Sequence, residues 1–158
     1  MADVDMTKAK EVYSTLLKML DAKEFKYERH DEDLLIKSGL RGDDIPVEFL
    51  MYVRPENKVV QFISQLPFKI SEDKRVEGAL AVAIANYGLI HGSFDYDLSD
   101  GEIRFRLTSS YLASTLGEDL FEYMMMIGAS TVDKYNDRFL MLSKGIITLE
   151  QFMEQENN

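Results

Sequence analysis

The sequence predicts an α+β fold: an antiparallel β-meander and a β-hairpin share one sheet with helices packed on it, in the order α-β(3-4)-α-β(2)-α-α. Three observations predict it. Apolar residues alternate with period two over 45–54 and 59–66, they recur at three- and four-residue spacing over 5–22 and 117–142, and residues 92–107 read as two strands around a turn. No connection among the first strands is long enough for a parallel crossover, so those strands pair antiparallel.

The first helix spans about 5–22, with Ala9, Val12, Tyr13, Leu16, Leu17 and Leu20 on one stripe. Residues 25–29 alternate briefly, His30 to Asp33 form a turn, and Leu34 to Ile36 open a strand that stops near Arg41-Gly42-Asp43-Asp44. Over 45–54 one face carries Val47, Phe49, Met51 and Val53. After a turn at Pro55-Glu56-Asn57, Val60, Phe62 and Leu66 continue that face. The opposite face is apolar too, with Leu35, Leu50, Tyr52, Val59 and Ile63. Either the long C-terminal helix or a second copy of the chain is expected to cover it.

Ser71 is the expected N-cap of a helix reaching Tyr87, with Glu72 and Asp73 in its first turn. Its apolar run with small residues Gly78, Ala79, Ala81, Ala83 and Ala85 predicts a central helix packed on all sides. In the hairpin, a two-residue Asp100-Gly101 turn sets Leu98 against Ile103, Tyr96 against Phe105 and Phe94 against Leu107. The other face then pairs Asp97 with Arg104 and Asp95 with Arg106. The long helix, about 117–142, presents Leu116, Leu120, Tyr123, Met124, Ile127, Tyr135, Phe139 and Leu142 and stops at Gly145. A final short helix, 148–156, starts with a capping box at Thr148 and Gln151 and a hydrophobic staple of Ile147 on Phe152, and it docks on the body; 154–158 is read as a frayed tail.

Length and composition bound the function. The 158 residues, 46% of them hydrophobic and with 8 Tyr and 9 Phe, suffice for a single domain, 1–158, with one core. With no cysteine there is no disulfide, thiolate metal site or cysteine nucleophile, which fits a cytoplasmic protein. The first five residues lack the features of a signal peptide, and no apolar run approaches a membrane span. A net charge of −10, spread along the chain, repels nucleic acid and anionic membranes.

The chemical motifs are few. Asp95, Asp97 and Asp100 have the wrong spacing and flanks for a calcium loop and are read as hairpin residues. His30 and His91 lack metal-ligand spacing, the serines and threonines at 109–115 lack a nucleophile elbow, and no phosphate-cradling glycine pattern occurs. No cofactor and no catalytic residue is expected. The Met124-Met125-Met126 run is read first as core filling, with Met125 also a candidate for an adaptable contact surface.

Asn86, Gly92, Phe94, Asp95, Asp97, Gly101, Ile103, Phe105 and Arg106 resemble the signature stretch of the YbjN family, whose fold is similar to type III secretion chaperones, and the resemblance covers about 12–135. It implies a small, acidic, often dimeric cytoplasmic protein that binds other proteins or modulates signalling and has no catalytic residues to carry over. The strand at 25–29 and the extension at 145–154 depart from that pattern. The expectation is therefore a non-enzymatic protein-binding module, a homodimer, with contact residues Leu50, Tyr52, Val59, Ile63 and Met125. The alternative is a small-molecule binder or enzyme with a pocket between the sheet and the C-terminal helix, lined by Tyr87, Tyr111 and Arg106.

Overall fold

The computed structural model describes residues 4–157; of the sequence-based expectations, those on the first three residues and on the last lie outside them. Helix α1 (Met6–Ala22) is followed by β1 (Tyr27–His30), β2 (Leu35–Leu40), β3 (Val47–Arg54) and β4 (Val59–Lys69). Then come α2 (Arg75–Tyr87), β5 (Ser93–Tyr96), β6 (Glu102–Ser110), α3 (Glu118–Ser143) and α4 (Leu149–Glu156). The six strands form one antiparallel sheet in the order β1-β2-β3-β4-β6-β5.

Alternation decides which side chains enter the core. Val47, Phe49, Met51 and Val53 of β3 point to the inner face, as do Val60 and Phe62 of β4 and Ile103 and Phe105 of β6; all are buried. Onto that face pack α1, through Ala9, Val12, Tyr13, Leu16, Met19 and Leu20, and α3, through Phe121, Met124, Met125, Val132 and Phe139. The fit is close at Gly128, where an added Cβ would lie 2.6 Å from the Phe62 ring. Of the two covers expected for the second sheet face, the long C-terminal helix and a second copy of the chain, the first is thus ruled out. Its buried stripe belongs to the inner face, and all four helices leave the outer face bare.

The hairpin keeps its faces but not its register. Phe94 pairs with Phe105, Asp95 with Arg104 and Tyr96 with Ile103, two residues displaced from the two-residue turn. A longer turn wins because its aspartates bond to it. Asp97 Oδ1 accepts from Ser99 N–H at 2.9 Å, Asp100 Oδ1 accepts from Glu102 N–H at 2.9 Å, and Asp100 Oδ2 meets Lys69 Nζ at 2.6 Å. The Lys69 ammonium beside it holds the Asp100 carboxyl below the usual range. Gly101, at φ +81°, donates to Asp97 O and accepts from Ile70 N–H, and a side chain there would collide with the Ile70 backbone.

Three further expectations are corrected. Ser71 caps nothing: a 3₁₀ turn at Glu72–Lys74 precedes α2, and Ser71 instead exchanges hydrogen bonds with Ser143 at 2.9 and 3.0 Å, tying α3's end to this turn. Helix α2 is not central, because it lies at the sheet's end against β5 and α4 and buries only Gly78, Ala81, Val82 and Ala85. The end of α4 is not frayed either. Glu156 accepts from Tyr135 Oη at 2.5 Å and pairs with Arg138 at 2.9 Å, while Phe152 is fully buried beside Phe139 and Tyr135. The capping box of Thr148 and Gln151 forms as expected.

Candidate protein-binding surface

The outer face of the sheet is built from the positions that alternation sends away from the core. One row crosses all six strands: Glu28, Lys37, Leu50, Ile63, Arg106 and Ser93. The next places Tyr52 between Leu35 and Gln61, followed by Thr108, and Val59 lies one row further between Arg54 and Ser110. Antiparallel sheets with one solvated face ordinarily carry polar side chains there. Here Leu35, Leu50, Tyr52, Val59 and Ile63 form an apolar centre, each partly exposed, and no helix stands over it.

Polar contacts frame that centre. Asp95 bridges Arg104 at 2.9 Å and Arg106 at 3.2 Å, so the carboxylate is occupied in holding β5 to β6. The arginine expected to meet Asp97 meets Asp95 instead, a consequence of the shifted register. Gln61 Nε2 donates to Thr108 Oγ1 at 3.1 Å, and the Arg54 guanidinium lies 5.7 Å from the centre of the Tyr52 ring. Between Lys37, Glu48 and Gln65 the face sinks into a shallow depression of about 480 Å³ floored by Leu50 and Ile63. Gly39 contributes no side chain to fill it. An apolar floor with cationic, anionic and amide groups at its margin suits an amphipathic polypeptide segment better than a compact apolar ligand.

Of the five residues proposed from sequence, Leu50, Tyr52, Val59 and Ile63 lie together on this face. Met125 does not: it is fully buried, because three consecutive helical residues point in three directions and only Met126 of the run reaches solvent. The residues proposed for a sheet-to-helix pocket are not brought together. Tyr87 projects from α2, Tyr111 is buried beyond the end of β6, and Arg106 lies on the outer face. The space between sheet and α3 is filled by Phe62, Met125 and Val132 and their neighbours. Among the described residues, no three His, Asp or Glu side chains gather as a metal site, and no helix is long and apolar enough to cross a membrane.

The two sheet edges differ. At β5 the outward backbone of Phe94 is taken by the Asn86 side chain, which donates to its carbonyl at 3.0 Å and accepts from its N–H at 2.7 Å. Gly92, at φ +71°, lets the chain enter β5 where a Cβ would lie 2.6 Å from the Phe105 ring. These are the two signature positions that hairpin chemistry alone does not select, and sequence gave no hint of what they do.

No curated protein matches the chain by sequence. Among solved structures, the chain is similar to the protein in "Crystal structure of YbjN, a putative transcription regulator from E. coli", with TM-score 0.61 and 9% identity over 80% of this chain and 92% of that one. It is also similar to a chain of the ExsC-ExsE complex, with TM-score 0.58 and 13% identity over 82% and 93%. A chain of the HopA1-SchA chaperone-effector complex matches with TM-score 0.52 and 14% identity over 85% and 99%. At these identities the likeness is one of fold. The YbjN family, described as "Putative bacterial sensory transduction regulator", matches residues 13–141, most of the chain. Because the family model matches well over half of its length, the chain belongs to the YbjN family.

Proposed function

We propose that this chain is a non-enzymatic, cytoplasmic protein-binding module of chaperone-like or signalling-regulatory type, that it works as a homodimer, and that it acts by burying the outer sheet face against a partner polypeptide. The observation that carries this is the uncovered apolar centre of Leu50, Tyr52, Val59 and Ile63 on a sheet whose helices all lie on the other side. Membership of a family described as regulatory and a fold shared with chains of the ExsC-ExsE complex and of the HopA1-SchA chaperone-effector complex support the same reading. Binding would use an extended or helical segment laid over the depression, its apolar side chains on Leu50 and Ile63 and its polar groups toward Lys37, Glu48 and Gln65.

The test is affinity capture from the native cytosol with the wild-type chain and with Leu50→Asp and Ile63→Asp. A protein recovered by the wild type and lost by both variants, with their circular dichroism unchanged, is the expected result. Recovery of the same proteins by all three would refute the assignment of this face.

A further inference from the structure

Segments far apart in sequence close on one cavity at the end of the sheet: the start of α1, the turn between β3 and β4, and the turn after β6. The cavity measures about 390 Å³, within the range of small-ligand sites. Asp5, Lys8, Lys58, Tyr111, Ser114 and Thr115 line it. Two of its walls are tied by backbone, since Tyr111 N–H donates to Lys58 O at 2.9 Å. Its polar groups are little used by the fold. Among the described residues neither Lys8 nor Lys58 forms an ion pair. Asp5 caps α1 with one carboxylate oxygen, accepting from Lys8 N–H at 3.0 Å, and its other oxygen takes no part in the cap. Tyr111 is 3% exposed, yet its hydroxyl has no hydrogen-bond partner among the described residues, an uncommon state for a buried polar atom. Burial, then the carboxylates of Asp5 and Glu56, push that hydroxyl above its ordinary value, so it stays protonated in a field that favours a cation.

We propose that this cavity binds a free α-amino acid with an apolar side chain. Lys8, Lys58 and the hydroxyls of Ser114 and Thr115 take its carboxylate, while Asp5 and the phenol oxygen of Tyr111 take its ammonium. Leu112, Ala113 and the Tyr111 ring, the apolar part of the lining, take its side chain. Both signs of charge select this class. A plain anion would satisfy the lysines but meet Asp5 as a like charge, and a plain cation would satisfy Asp5 but meet two lysines. A nucleotide would set several negative charges beside Asp5 and Glu56. The cavity shares no residue with the outer-face depression, so this inference goes beyond the protein-binding reading and stands or falls apart from it.

Amide NMR titration of the full chain with L-leucine and L-phenylalanine tests the proposal, with leucinamide, which lacks the carboxylate, and isocaproate, which lacks the ammonium, as comparison probes. At least one amino acid, added to about 10 mM, is expected to shift the amides of Asp5, Lys8, Lys58 and Tyr111 along a saturating curve. Leucinamide and isocaproate, each missing one charge-assisted contact, are expected to bind roughly tenfold more weakly or worse. Three variants read the site: Asp5→Asn, which keeps the cap; Lys58→Asn, suited to the left-handed backbone at φ +53°; and Tyr111→Phe. Each is expected to raise the amino-acid Kd by roughly tenfold. Unliganded Tyr111→Phe should melt no lower than the wild type, because its hydroxyl has no bond to lose. No shift with either amino acid, equal binding by either comparison probe, or an affinity unchanged in the three variants overturns the proposal. A lowered melting temperature of Tyr111→Phe overturns the role given to the phenol.

Discussion

The side chain of Asn86 at the end of α2 holds Phe94 of β5 by both backbone groups, donating to the carbonyl at 3.0 Å and accepting from the N–H at 2.7 Å. One side chain thereby does the work of a neighbouring strand. It closes the outer edge of β5, fixes α2 against the sheet, and leaves β1 as the edge without such a clasp, which matters because open edges invite pairing with other chains.

Asn86→Ala removes both bonds and leaves two part-buried backbone groups to find water. A loss of about 1–3 kcal/mol in unfolding free energy is expected, read by urea denaturation. Amide exchange at Phe94 should quicken more than at Phe105, and equal rates at the two positions would contradict the clasp.

Met125 and Leu50 separate core from surface. Met125 is fully buried, so Met125→Ala should cost about 2–5 kcal/mol. Leu50→Ala on the partly exposed outer face should stay within about 1 kcal/mol. Paired denaturation curves check this, and equal losses would mean the outer face is as buried as the core.

Gly128→Ala places a methyl group 2.6 Å from the Phe62 ring of the central strand. The rigid ring cannot retreat, because Phe49 stacks on it at 4.8 Å and Phe105 meets its edge at 6.2 Å. Overpacking of this kind costs about 1–3 kcal/mol, more than the gain from replacing glycine in a helix. An unchanged or raised melting temperature would contradict the close contact of α3 and β4.

Phe152→Ala tests whether α4 belongs to the core. The ring is fully buried against Phe139, with centroids 5.4 Å apart, and its removal should cost about 3–5 kcal/mol. A loss below about 1 kcal/mol would show a loosely attached helix.

Alkaline stability should reveal two of the buried tyrosines, Tyr13 and Tyr135. Burial, then the hydrogen bond to Asp31 at 2.8 Å, pushes the Tyr13 hydroxyl up to about 12. Burial and the bond to Glu156 push Tyr135 upward as well. Both pKa values are raised on folding, so the associated stability is fully present below pH ~10, where an unfolded tyrosine stays protonated, and is lost as pH climbs toward the folded values. Unfolding free energy of the wild type should fall more steeply between pH 10 and 12 than that of Tyr13→Phe. Parallel curves would remove Tyr13 from the account.

Much of this protein was legible because strand side chains alternate strictly. The inner positions of β3 and β4, the stripe of α1, the capping box at Thr148 and the grouping of Leu50, Tyr52, Val59 and Ile63 all follow from local periodicity. The hairpin register did not, because a slip of two residues returns every side chain to the same face; the turn bonds of Asp97 and Asp100 and the contact of Gly101 with Ile70 chose between registers.

Which faces are apolar is written in the order of residue types, through periods of 2.0 and 3.6 residues. Which of those faces are covered depends on how the elements pack in three dimensions. An apolar face is buried or bare according to what the topology sets beside it: α3 was drawn to the inner face by Gly128 and Phe62, and α2, displaced to the sheet's end beyond β5, had only one side on which to pack.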